Sequence, residues 1–225
     1  MTPVLIQQLT GIAVVLLWLA VVVSTALAVR HHFPQQREWS RKVVHIGTGP
    51  VVLLAWGLGI ARWVALPAAI AVTLATALNH RFRVLPAVED VDRHSYGTVA
   101  YGASIAILLA LFWPQQPLAV AAGVLVMAIG DGLAGLVGPQ LRSPRWRVLG
   151  QGKSLAGTLA MGGGGLSVLI LLQLIAQSQS MAAPAWAQLI AIALLATALE
   201  QGSNFGIDNL TVPLSAGLLW QHWAH

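Results

Sequence analysis

The stretch GQGKSLAGTLA, residues 150–160, sets a lysine and a serine behind two glycines at the mouth of a long apolar run. Glycine lets a backbone approach a ligand closely. A helix N-terminus offers free N–H groups and a partial positive charge to an anion, and Lys153 adds a full one. Phosphate is the ligand this set suits. It is not a Walker A loop: that motif needs a glycine where Arg147 stands, and a preceding strand, which the sequence does not predict. Gly152, Lys153 and Ser154 are therefore expected to open a helix, with Lys153 and Ser154 on one face of it.

Three other stretches carry chemistry. Asp131 lies in AIGDGLAGLVG (128–138), near the end of an apolar segment. A carboxylate costs roughly 2.5–3.5 kcal/mol at the bilayer centre and less near an end, so it needs a cation, a metal or a water-filled cavity. Gly130, Ala134 and Gly138 recur every four residues, which lets another helix come close. Glu200 ends a later apolar segment in TALEQGSNFGIDNLTVPL (197–214), where Gly202 and Gly206 interrupt the helix and Asp208 and Asn209 follow. Two carboxylates and an amide beside such a break suit Mg²⁺, which takes oxygen ligands. In SRKVVHIGTGP (40–50), Arg41 and Lys42 precede His45 by four and three residues and so neighbour it on a helix. His45 reads as a general base or a phosphate-orienting group, and equally as a buried histidine bonded to a carbonyl.

The elements that must position these groups are membrane helices. The 225 residues are 57% hydrophobic and 8% charged, with a mean hydropathy of +0.75, whereas soluble domains carry about a quarter charged residues. There is no cysteine, which excludes disulfides, thiolate metal sites and cysteine nucleophiles. The first basic residue, Arg30, follows the first apolar run instead of preceding it, so Val4 to Val29 reads as an anchored helix and not a cleaved signal. Apolar stretches of spanning length fall near 4–29, 43–60, 63–79, 98–113, 117–138, 154–176 and 185–201. A shorter run from Leu210 to Trp223, containing Pro213, reads as an eighth span or a re-entrant piece. The expected class is an all-α polytopic membrane protein, one domain over 1–225. The four glycines 162–165 inside the sixth span predict close approach by a neighbouring helix.

Eleven of the twelve Lys and Arg residues fall in alternate loops on one side, Arg62 being the exception. The positive-inside rule makes that side cytoplasmic and puts the N-terminus outside. Trp63, Trp113 and Trp186 fall at the other ends of their spans, as an aromatic belt would. Lys153, Asp131, Glu200, Asp208 and His45 all map to the cytoplasmic side. A lysine, several acids and a helix N-terminus together are the means of Mg-nucleotide phosphoryl transfer.

At this point the chain resembles the membrane prenol kinases, which include phytol kinase and dolichol kinase. The matching pieces are RKVVHIGTG (41–49), HSYGTVAYG (94–102), GDGLAGLVG (130–138), GKSLAGTLA (152–160) and EQGSNFGIDNLTVPL (200–214). The short form resembles the cyanobacterial and plastid phytol kinases more than dolichol kinase. The resemblance implies phosphorylation of a long-chain isoprenoid alcohol by CTP or UTP with Mg²⁺, in isoprenoid metabolism such as tocopherol biosynthesis. It implies nucleotide and metal handling by Asp131, Lys153, Ser154, Asp208 and Asn209, with Glu200 matching the acid before the last motif. On this reading Asp131, Asp208 and Glu200 are the metal candidates, and Gly152, Lys153, Ser154, Asn209, Arg41 and Lys42 the nucleotide candidates. Glu200, Asp208 or His45 takes the hydroxyl proton. The partners implied are the alcohol, the nucleotide and membrane lipids, with no nucleic acid. One departure is PQLRSPRWRVLG (139–150), where many relatives have a glycine-richer loop bearing lysine. Two rivals remain at this level: a CTP-dependent lipid cytidylyltransferase, and a small transporter whose broken helices bind an anion.

Overall fold

The computed structural model describes residues 2–82 and 96–224. Arg83, Glu89, Asp90, Asp92, Arg93 and the start of the 94–102 motif lie outside the described residues. The chain is nearly all helix, as expected: α1 (Pro3–His32), α2 (Arg37–Thr48), α3 (Val51–Gly57), α4 (Arg62–Phe82), α5 (Gly97–Phe112) and α6 (Pro117–Leu125). A π-helical segment (Val126–Asp131) joins α6 to α7 (Gly132–Gln140). A hairpin of β1 (Arg145–Val148) and β2 (Gln151–Ser154) follows, then α8 (Leu155–Ser178), α9 (Trp186–Gly202) and α10 (Asp208–Trp223). Among the described residues four helical stretches are long and apolar enough to cross a bilayer: Pro3–His32, Arg62–Asn79, Pro117–Gln140 and Leu155–Ser178. Gly97–Phe112 and Trp186–Gly202 are shorter apolar helices. The protein is a polytopic membrane protein.

Position in the bundle follows from sequence. The run from Pro117 to Ala128 is apolar all round, and every residue of it is buried, which makes α6 the central post. α3, α5, α8 and α10 pack on it. The outer helices bury little: 11% of the apolar window of α1 and 6% of that of α4, against 61% for Pro117–Gln140.

Small residues set the closest contacts. A Cβ on Gly130 would meet Met161 Sδ at 2.7 Å, one on Gly164 would meet Leu133 at 3.0 Å, and one on Gly138 would meet the Gly157 backbone at 3.3 Å. The spacing of Gly130, Ala134 and Gly138 thus seats α8 against α7, as expected. Within the four-glycine run, Gly164 packs on α7 while Gly163 faces open space. α10 crosses α6 in the same way, the Pro213 carbonyl lying over Gly123 and the Ala119 carbonyl against Gly217.

Four expectations change. The second span is not one helix: it breaks at Gly49–Pro50, where proline cannot donate to the ladder and Gly49 lets the chain pass 2.7 Å from Ala128 Cβ by the same measure. The C-terminal run is a continuous 16-residue helix despite Pro213, with Val212, Ala216 and Trp220 buried, not an interrupted re-entrant piece. Trp113 is no belt residue: it is 1% exposed and donates its indole N–H to the Ile60 carbonyl at 2.9 Å, while Trp63 and Trp186 are exposed. A strand does precede α8, contrary to the sequence reading.

These contacts predict a contrast. Gly130→Ala forces Met161 and α8 outward, and such overpacking costs about 1–3 kcal/mol. Gly163→Ala meets nothing and gains helix propensity. Thermal unfolding in detergent should show the first variant lowered and the second equal to wild type or raised; two equal midpoints would remove the close-contact account.

Candidate active site

One end of the bundle holds the charged groups the sequence singles out. Lys42 and His45 lie one turn apart on α2, which packs on α7 and the π segment. Gly132 and Gly135 make this possible: a Cβ on Gly132 would strike Ile46 at 2.3 Å, and one on Gly135 would strike Lys42 Cε at 2.2 Å. The lysine stem lies across bare backbone and ends at Asp131, with Nζ 2.6 Å from Oδ2 and 3.0 Å from the Asp131 carbonyl. The side chains are 6% and 17% exposed. The GDGLAGLVG run therefore serves two faces, positions 130, 134 and 138 toward α8 and positions 132 and 135 toward α2.

The π segment aims Asp131. Five-residue bonding inserted into an α-helix leaves backbone carbonyls without their helical partners, and such insertions concentrate at functional sites. Side chains meet the carbonyls here. Tyr101 Oη donates to the Val124 carbonyl at 3.1 Å. His45 Nε2 lies 3.3 Å from the Met127 carbonyl and 3.3 Å from Asp131 Oδ2. The Tyr101 and His45 rings pack at 4.7 Å. His45 is half-buried, with the Met127 carbonyl and the Asp131 carboxylate both beside its Nε2.

A second pair forms across β2 and α9. Lys153 Nζ donates to the Glu200 carboxylate and, at 2.8 Å, to the Glu200 carbonyl. Gln201 Nε2 holds the other carboxylate oxygen at 2.8 Å. Here the sequence reading needs correction. Lys153 lies in a strand, where successive side chains point to opposite faces. Lys153 and Ser154 therefore diverge: Lys153 reaches α9, while Ser154 is buried, caps α8 by accepting from Gly157 N–H at 3.2 Å, and donates to the Gly138 carbonyl at 3.3 Å. Gly152 has open space around it.

The hairpin is fixed in place from the connection between α9 and α10. Its two-residue turn, Leu149–Gly150, has φ of 48° and 82°, the mirror-image turn that matches strand twist. Asn204 donates to the Leu149 carbonyl and accepts from Gln151 Nε2, both at 2.8 Å. Phe205 and Gly206 beside it also have positive φ, 55° and 84°. Neither Asn204 nor Tyr101 was assigned a role from sequence. Each lies inside a motif read there, but its partners are distant in the chain.

Asp208 opens α10 and lies within electrostatic reach of Asp131, Glu200 and Lys153. Among the described residues it has no ion pair of its own. Asn209 beside it is buried. Arg41 is bonded to Glu38 on its own helix at 2.7 Å and lies within electrostatic reach of Asp131 and His45. Among the described residues no three acid or imidazole groups converge as a ready-made metal cage, so Asp131, Asp208 and Glu200 do not form one. Mg²⁺ is usually held by one or two carboxylates plus substrate phosphates, and Asp131 with Asp208 fits that donor set.

Fold and site define a multi-pass membrane protein with a buried ionic centre at one end, a setting for charged-group transfer at a bilayer surface. No family model matches the chain, and no solved structure matches it. Two curated relatives do. A phytol kinase of Synechocystis sp. is 40% identical over 205 residues, covering 90% of this chain and 86% of the relative. A probable chloroplastic phytol kinase 2 of Oryza sativa subsp. japonica is 26% identical over 224 residues, covering 89% of this chain and 73% of the relative. The chain belongs to the phytol kinase family and is a membrane-embedded kinase.

Removing one member of a buried ion pair leaves a bare charge, at a cost of about 3–5 kcal/mol. Lys42→Met should therefore destabilise the protein strongly, and Lys42→Met combined with Asp131→Asn should recover much of the loss. Denaturant unfolding in detergent of both singles and the double reads the coupling; additive effects would mean the pair contributes nothing.

Proposed function

We propose that the protein transfers the terminal phosphoryl group of CTP or UTP to the hydroxyl of a long-chain isoprenoid alcohol, phytol or geranylgeraniol, at the cytoplasmic face of the membrane. The observation that carries this reading is the pair of lysine–carboxylate contacts at one end of the bundle, with Asp208 within electrostatic reach of Asp131, Glu200 and Lys153. The similarity to phytol kinases across nine-tenths of the chain supports the acceptor class. The loop arginines support the cytoplasmic orientation, with the N-terminus outside.

Taken by themselves, the two ammonium groups and three carboxylates of this centre carry one net negative charge. A bare triphosphate is repelled by such a site, whereas a metal-bearing one is not. Asp131 and Asp208 would hold Mg²⁺, which would supply neutralisation of the polyphosphate's charge. Lys153 exchanges its Glu200 partner for the transferring phosphoryl group, and open space at Gly152 lets the phosphates approach the backbone. The alcohol oxygen attacks the γ-phosphorus, and the bond to the β-phosphate oxygen breaks. The nucleoside diphosphate departs. Glu200, released from Lys153, takes the hydroxyl proton. Lys42 keeps Asp131 ionised and aimed.

The same protein incubated with phytol, geranylgeraniol and longer prenols against each labelled nucleotide tests this. A γ-label should appear in the lipid and an α-label should not. Transfer of the α-label with pyrophosphate release would make it a cytidylyltransferase instead. Asp208→Asn removes a charge without breaking an ion pair, so it should fold normally and lower turnover about 10²–10³-fold, the loss typical of one electrostatic contact to the transition state. Wild-type turnover by that variant would remove Asp208 from the metal site.

A further inference from the structure

On the side of α7 turned away from α2, a second feature is unexplained by phosphoryl transfer. A shallow, open crevice of about 440 Å³ runs between α7 and α8 at the arginine-bearing end. Its walls are mostly apolar: Val137 and Leu141 on one side, Leu155 and Leu159 on the other, with Arg142 and Ser143 at its mouth. Leu141, Leu155 and Leu159 are 54%, 42% and 66% exposed, so the crevice opens outward from the bundle, toward lipid.

Charge is one-sided in the segment that carries Arg142. No acidic residue occurs between Asp131 and Glu200. Lys153 is matched by Glu200. Arg142, Arg145 and Arg147 have no acid partner among the described residues. Arg145 reaches only the Pro139 carbonyl, at 3.1 Å. Arginine is suited to phosphate recognition, and anionic headgroups near a membrane surface attract such groups by about 1 kcal/mol per residue.

The crevice does not communicate with the ionic centre. Val137 follows Gly135 by two residues, about 200° round the helix, and Gly135 carries the Lys42 stem. Gly138 and Gly157 close the path between α7 and α8. A molecule in the crevice therefore belongs to the surrounding bilayer and not to the reaction. We propose that this crevice is a binding site for one anionic phospholipid, with its phosphate on Arg142 and an acyl chain between Leu155 and Leu159.

Native mass spectrometry of the purified full-length chain from mixed micelles of phosphatidylcholine and phosphatidylglycerol tests this. The wild type should retain phosphatidylglycerol severalfold over phosphatidylcholine. Arg142→Gln should reduce phosphatidylglycerol to the phosphatidylcholine level. Leu159→Trp, which fills the crevice, should lower retention of both. Undiminished phosphatidylglycerol on Arg142→Gln, or equal retention of the two lipids by the wild type, overturns the proposal. So does one-for-one displacement by added geranylgeranyl monophosphate, which would assign the crevice to product instead.

Discussion

A lysine ammonium held against an aspartate within a membrane bundle is the constraint around which this protein is built. Neither charge is tolerable there alone, since an unpaired ion in a low-dielectric interior costs several kcal/mol. Pairing them at 2.6 Å requires α2 to lie almost on the backbone of α7. That is why Gly132 and Gly135 carry no side chain: the space a Cβ would take is filled by Ile46 and Lys42. Seating α8 on the opposite face of the same helix requires Gly130 and Gly138. A nine-residue run thus contains an acid and enough glycine to bring two helices to it, and the acid has the position it has because of those two contacts.

Irregular backbone also occurs near this pair. In a bilayer every peptide group needs a partner inside the protein or in a water-lined cavity. The π segment, the Gly49–Pro50 break, the hairpin turn and the positive-φ pair Phe205–Gly206 all lie near the charged end. Their polar groups are met by named side chains: Tyr101 at the Val124 carbonyl, Asn204 at the Leu149 carbonyl. Strained conformations persist where surrounding contacts over-determine them, and the Asn204 clamp does this for the hairpin that carries Lys153. The opposite end has irregular backbone too, with positive φ at Gly59 and Ser180. There Trp113 and Gln8 satisfy the loop between α3 and α4, Gln8 Nε2 donating to the Gly59 carbonyl at 3.0 Å.

What was legible in the sequence was what local period and charge encode. Span positions, the small-residue stripe at 130, 134 and 138, and the gathering of five polar residues at one end all follow from spacing and loop arginines. What was not legible depends on contacts far apart in the chain. Lys42 and Asp131 are 89 residues apart, and neither alone announces the other. The strand at Gln151–Ser154 lacks the usual signal, because its turn is Leu–Gly where Asn–Gly is expected, so Lys153 was placed on a helix. Trp113 looked like an interfacial residue because it ends a span; only the Ile60 carbonyl explains its burial. The Gly–Pro pair at 49–50 was a local break signal, and it was outweighed by the apolar run on both sides.

Two lysine–carboxylate pairs at one site create a specific opportunity. Each pair is nearly neutral, so the apo bundle is stable with no ligand present. A metal-bound polyphosphate carries both kinds of partner these groups need, phosphate oxygens for an ammonium and a cation for carboxylates. It can therefore replace internal pairs by external ones without leaving any buried charge bare. Lys153 is the better placed of the two to exchange: it stands on a two-stranded hairpin at the bundle's edge, with open backbone at Gly152 beside it. Lys42, pinned across Gly135 and bonded to both the side chain and the carbonyl of Asp131, is placed to stay. One ion pair at a movable edge and one pinned across a helix backbone is an arrangement suited to the proposed reaction, in which a charged nucleotide binds while the site keeps its geometry.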